Sequence, residues 1–222
     1  MSKHSILQDN KSYTFRSYFE FPYETEDILA EFDYNFQRAR LSLPTSNRQL
    51  ERLSELRQRI EETLPLVSLS SEAARREILI APVLLEVARY CQCQLRIEYP
   101  LKVNERLKGN LDYFLQSNSQ LLVIEAKHED MTRGFTQLAV ELIALSEWEP
   151  EQDLIFGCVT MGELWIFGIL DKKQRLIQQN IDSLRVPGDL EVLVDVLVGI
   201  LEKPNPPTPF PAREGGETPL SS

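Results

Sequence analysis

The chain is poor in histidine, in cysteine and, over its first half, in glycine. His4 and His128 are the only two histidines, so a histidine-rich metal site or a Ser-His-Asp triad is nearly excluded. Three cysteines cannot close a disulfide framework, and a reducing, cytoplasmic setting is the expectation. Cys91 and Cys93 stand two apart, a spacing that alternates faces on a strand, so they read as small hydrophobes and not as joint zinc ligands. No apolar run reaches the length of a membrane-spanning helix. The opening MSKHSILQDNKSYTF lacks the apolar centre of a signal peptide. Positive charge is also short: 24 Lys and Arg face 34 Asp and Glu, a net charge of -10. Such a field repels phosphates and argues against a non-specific nucleic-acid coat protein. It leaves room for a nucleic-acid enzyme, whose site can itself be acidic to hold a metal and which needs only a local basic rim.

The 222 residues are 42% hydrophobic and 26% charged, which suits one folded domain with an appendage. The first glycine is Gly109, and the chain before it reads mainly as helix. Residues 24–41 and 47–63 carry helical spacing; in the second, Leu50, Leu53, Leu56 and Ile60 recur at three and four. Residues 71–90 read as a further helix with Ser71 as N-cap and Glu72 in its first turn. That helix is apolar nearly all round, as a buried helix is, and Pro82 should kink or divide it. The period then changes to two. Residues 94–101, 110–116 and 121–127 read as strands, and a helix follows over 132–147. Residues 153–160 and 163–170 form two strands joined at Met161-Gly162, 174–181 a sixth, and 189–202 a last helix. The final stretch, KPNPPTPFPAREGGETPLSS, holds six of the 13 prolines and reads as a disordered tail over 204–222. The order predicts an α/β fold: a central mixed β-sheet flanked by helices, with an N-terminal helical extension over 1–66 and a core over 67–203.

The chemistry concentrates in two of these strands. If their loop is Asn118-Ser119, antiparallel partners sum to 237 and Asp112 falls opposite Glu125. Lys127 then shares the face of Glu125, and opposed Cβ atoms lie roughly 5 Å apart. Two carboxylates that close repel unless a proton or a cation intervenes. Hard oxygen ligands with room for water suit magnesium or manganese, and a lysine beside them can orient water and offset charge on a phosphate. Acid-x-Lys also occurs at Asp9-Asn10-Lys11 and Asp171-Lys172-Lys173, so the tripeptide alone decides little. Only Glu125-Ala126-Lys127 ends an apolar strand whose partner presents an acid. The alternative is a charged strand end with an Asp112–Lys127 salt bridge.

Buried helix, strand with Asp112, strand with Glu125-Ala126-Lys127, then helix: this order over about residues 67–181 resembles the PD-(D/E)XK phosphodiesterase superfamily, the restriction-endonuclease-like nucleases. The helix SEAARREILIAPVLLEV looks like that of the N-terminal nuclease domain in type I restriction subunits, and the whole chain looks like a group of bacterial proteins with this core. The resemblance implies that Asp112, Glu125 and the Ala126 carbonyl hold a divalent metal, Mg2+ or Mn2+, and that Lys127 positions the attacking water. It also places Gln137 and Glu72 in the catalytic set. Leu111 stands where the name-giving proline would be. On the helix wheel Gln137 lies about 160° from the stripe of Phe135, Leu138, Ala139 and Leu142, which equally fits a solvated residue. Glu86 shares a helix face with Glu72 and is its rival, or a buried salt-bridge partner. His128 reads as a loop residue. Lys102, Arg106, Lys108 and Arg133 are candidates for a phosphate rim; Trp148 and Trp165 read as packing. The expected function is metal-dependent phosphodiester hydrolysis with DNA as the partner, no membrane, and a homodimer left open. The other reading is a catalytically inactive nuclease-fold protein with a nucleic-acid-associated or structural role.

Overall fold

The computed structural model describes residues 6–8, 10–117, 120–127 and 130–202. His4, the hairpin loop Asn118-Ser119, His128 and the tail over 204–222 lie outside the described residues. Within them the chain builds an α/β architecture on one eight-stranded mixed sheet. Its strands are β1 Asn35–Ala39, β2 Gln94–Lys102, β3 Lys108–Gln116, β4 Leu121–Ala126, β5 Leu154–Thr160, β6 Leu164–Asp171, β7 Leu176–Asn180 and β8 Leu184–Arg185. The order across the sheet is β1-β7-β6-β5-β4-β3-β2, with β8 beside β6. The β4/β5 and β1/β7 pairs are parallel and the others antiparallel. The helices are α1 Phe15–Glu20, α2 Thr25–Ala30, α3 Leu53–Thr63, α4 Glu72–Arg75, α5 Ala81–Cys91, α6 Met131–Trp148 and α7 Leu190–Leu201. None of them is long and apolar enough to cross a membrane.

The helix expected over 24–41 stops at Ala30. Asp33 turns the chain through the left-handed region at φ 61°, and Tyr34 and Phe36 then alternate with polar residues as a strand requires. That strand, β1, pairs with β7 at the edge of the sheet. The helix expected from residue 47 starts only at Leu53, because Arg52 at φ 64° still belongs to a turn. Ser71 does cap its helix, accepting the N–H of Ala74 at 3.1 Å. That helix is divided, as Pro82 suggests: α4 ends at Arg75, and α5 begins at Ala81 with Pro82 in its first turn. A π-helical turn, Arg76–Ile80, joins α4 to α5, and the Ala81 N–H donates to the Arg76 carbonyl five residues back. The wider turn accommodates the N–H that proline cannot supply. Cys91 ends α5 and Cys93 precedes β2, so the two do not alternate on a strand; both are half-buried free thiols packed on the core.

Two apolar layers sandwich the sheet. On one face α3, the π turn, α5 and α7 cover Tyr113, Leu115, Ile124 and Trp165. On the other, α6 covers Phe114, Val123, Ile155 and Val159, and α1 and α2 cover α6 in turn. Every residue of α6 from Gly134 to Ser146 is therefore buried. The polar back of its helical wheel meets protein instead of water, which removes the solvated reading of Gln137.

Candidate active site

The β3/β4 ladder runs from Gln116↔Leu121 to Tyr113↔Ile124. The next pair in this register is Asp112 and Glu125, as the two-residue loop requires. The β2/β3 ladder sets Ile97 against Tyr113 and Tyr99 against Leu111, which brings Glu98 opposite Asp112. Three acids on three neighbouring strands thus form a row, Glu98–Asp112–Glu125, across the middle of β2 and β3 and the C-terminal end of β4. They line a cavity of about 670 Å³ together with Lys127, Gln137, Glu72, Arg76, Arg16 and Phe19.

Each side chain has a definite mooring. Asp112 Oδ2 accepts the Ala126 N–H at 2.8 Å. Lys127 Nζ lies 2.5 Å from Glu125 Oε1 and 4.8 Å from the centroid of the Phe19 ring in α1. The lysine therefore pairs with Glu125, and in place of the alternative Asp112–Lys127 bridge stands an Arg76–Asp112 contact at 3.8 Å. The Gln137 amide donates to Glu125 Oε1 at 2.7 Å and to Glu141 Oε1 at 2.9 Å. Two glycines make room. A Cβ on Gly134 would stand 2.8 Å from Lys127 Cγ, and one on Gly109 would stand 2.7 Å from the Phe15 ring.

Burial dominates the electrostatics. Glu125 is 1% exposed and Glu141 is fully buried. Loss of water, then the neighbouring Glu141 and Asp112 charges, push the Glu125 carboxyl well above the usual carboxylate range. Burial raises Glu141 to about 8, against the opposing hydrogen bond from Gln137. Burial also raises Asp112, opposed by the Ala126 N–H and by the Arg76 and Lys127 charges. Burial works against the charge of Lys127, but Glu125 and the other two acids outweigh it and hold the ammonium above the usual lysine range. Among the described residues three buried side-chain oxygens have no hydrogen-bond partner: Glu125 Oε2, Gln137 Oε1 and Glu141 Oε2. Orphaned acceptors are rare in protein interiors; a proton, a cation or a water molecule relieves carboxylates so placed.

Among the residues expected from sequence, Asp112, Glu125, Lys127 and Gln137 are brought together, and Ala126 joins them through its N–H. Glu72 stands on the rim, 42% exposed by its side chain and 4.0 Å from Arg76. Glu86 is a buried salt-bridge partner, held by Arg52 and Arg89. None of the four expected rim cations lines the cavity. Lys102 and Lys108 bind Glu105, and Arg133 binds Asp130. Trp165 is core and Trp148 packs on Tyr99 and Phe114.

Sequence reasoning missed Glu98, Arg76 and Glu141. Glu98 follows from extending the pairing arithmetic by one strand. Arg76 stands four residues after Glu72 on the helix. Glu141 is the lone charge in the apolar run LAVELIAL, one turn past Gln137. Comparison with known protein families finds no matching family model, and comparison with curated proteins finds no significant match.

Proposed function

We propose that this cavity is the active site of a metal-dependent phosphodiesterase acting on DNA, on a restriction-endonuclease-like core. The observation that carries the reading is the pair of orphaned oxygens, Glu125 Oε2 and Gln137 Oε1, on residues lining a cavity that also presents Asp112 and Lys127. The donor set is hard oxygen, which fits magnesium or manganese. Asp112, Glu125 and the Ala126 carbonyl would hold the ion, which when bound supplies Lewis-acid polarisation of a phosphodiester. Among the described residues no three His, Cys, Asp or Glu side chains stand ready as a cage. Magnesium commonly takes one or two carboxylates and keeps several waters. Lys127 would orient the attacking water and offset charge growing on the phosphoryl oxygens. The water oxygen bonds to phosphorus and sheds a proton to solvent, the P–O ester bond breaks, and the departing alkoxide takes up a proton from solvent. Gln137 keeps Glu125 in place from beneath.

One observation favours the inactive scaffold. Lys127 already neutralises Glu125, and Arg76 already faces Asp112, so the acids have counter-ions without a metal. A manganese soak separates the two. An anomalous peak between Asp112 and Glu125, with chelator-sensitive cleavage of DNA, supports the enzyme. No peak at saturating manganese, and no cleavage, supports the scaffold.

A further inference from the structure

Arg76 is the cation that meets most of the cavity's acids. Its Nη1 lies 2.7 Å from Glu98 Oε1, 3.8 Å from Asp112 Oδ1 and 4.0 Å from Glu72 Oε1. Its Nε donates to the Tyr113 hydroxyl at 3.2 Å, and its guanidinium carbon sits 5.0 Å from that ring's centroid. The side chain arrives from the layer on the opposite face of the sheet, out of the π turn. Turns of this kind are frequent at functional sites. Glu98, which grips it, adopts φ 51° within its strand, a conformation that costs a non-glycine residue energy.

The contacts are unequal. Glu98 and Tyr113 hold Arg76 by hydrogen bonds. The 3.8 Å separation from Asp112 Oδ1 is too long for one, so this contact is Coulombic and the easiest to give up. Oδ2 of the same carboxylate is occupied by the Ala126 N–H. Oδ1 is thus the oxygen free to take a cation, and Arg76 stands beside it.

We propose that Arg76 is the exchangeable counter-ion of the site: it faces Asp112 in the free protein and turns its guanidinium to the non-bridging oxygens of a bound phosphodiester when a divalent cation takes its place. The inference rests on the phosphodiesterase reading above. Glu98 and Tyr113 are the pivot, since they moor the group without using Asp112. The planar fork of guanidinium matches two phosphate oxygens, which a lysine ammonium does not.

The exchange gives opposite signs for binding and for chemistry. Arg76→Gln removes a positive charge that competes with the metal, so calorimetry without DNA should show Mn2+ binding about tenfold tighter than in wild type. Single-turnover cleavage at saturating Mn2+ should slow about 10²-fold or more, because a charge that stabilises the transition state is gone. Arg76→Lys keeps the charge and loses the fork; its Mn2+ affinity should stay near wild type while its cleavage is slow. Thermal melts establish that each variant is folded, and if Arg76→Gln does not fold, Arg76→Lys decides alone. Either variant cleaving at the wild-type rate, or Arg76→Gln binding Mn2+ no more tightly than wild type, overturns the inference and leaves the phosphodiesterase standing. A wild-type protein that neither binds Mn2+ nor cleaves DNA overturns the phosphodiesterase, and the inference with it.

Discussion

Asp112 Oδ2 accepts the backbone N–H of Ala126 at 2.8 Å, so the acid of β3 grips the peptide that links Glu125 to Ala126. The bond fixes the register where the two carboxylates come closest. Asparagine can make the same bond through its side-chain oxygen. Asp112→Asn therefore removes a charge and keeps the mooring. Without metal the variant should melt at the wild-type temperature or above, since one of three crowded acids is gone. Manganese should raise the melting temperature of wild type alone, by about 5–10 °C at a hundredfold excess over Kd. A destabilised apo variant beside a wild type indifferent to manganese would favour the scaffold.

Gln137 bridges two buried carboxylates with one amide group. Gln137→Leu fits an apolar side chain between them and takes away the donor. Denaturant unfolding should show a loss on the order of 2–4 kcal/mol. A change under about 0.5 kcal/mol would mean that the acids find other partners at no cost.

Glu141 gives a pH dependence. Its carboxyl faces Gln137, Glu125, Asp112 and Lys127, and its folded value of about 8 stands above its ordinary 4.5. A raised acid favours folding while it is protonated. That stability is fully present below about 4.5 and is lost as pH rises through about 8. Glu141→Gln keeps an acceptor for Gln137 and cannot ionise. Between pH 5 and pH 8.5 the wild type should lose stability and the variant should lose less. Parallel curves for the two proteins would show that Glu141 does not titrate in this range.

The α/β order and the β3/β4 register were legible because short loops and period-two patterns leave few alternatives. Asp112, Glu125, Lys127 and Gln137 converge as that register and the following helix imply. What escaped depends on the third dimension. Gln137 looks solvated on a wheel only if α6 has one buried face, and α1 and α2 bury the other. Asp33 and Arg52 end or delay helices by turning through the left-handed region, which residues other than glycine rarely advertise. Arg76 reaches Asp112 from the opposite layer, a contact that no sequence spacing encodes. Lys127, the first residue past β4, meets Glu125 two residues back on the same face and not Asp112 across the ladder.

Gly134 is the gap through which the Lys127 stem passes. A methyl there meets Lys127 Cγ at 2.8 Å and Val159 Cγ2 at 2.9 Å. Gly134→Ala should cost about 1–3 kcal/mol in stability from overpacking. It should also displace the lysine, so that cleavage falls while manganese binding persists. Full activity in a destabilised variant would show that the exact path of Lys127 does not matter.

On the proposed function, Lys127 serves chemistry at a phosphodiester beyond its pairing with Glu125. Single-turnover cleavage of end-labelled DNA with saturating magnesium measures this, with wild type and Lys127→Met compared where both are folded. Wild-type protein should cleave, and a chelator should stop it. Lys127→Met should cleave more slowly by about 10²–10⁴, with manganese binding retained. Cleavage by Lys127→Met at the wild-type rate, or a wild type that binds the metal and cuts no DNA, would contradict this role.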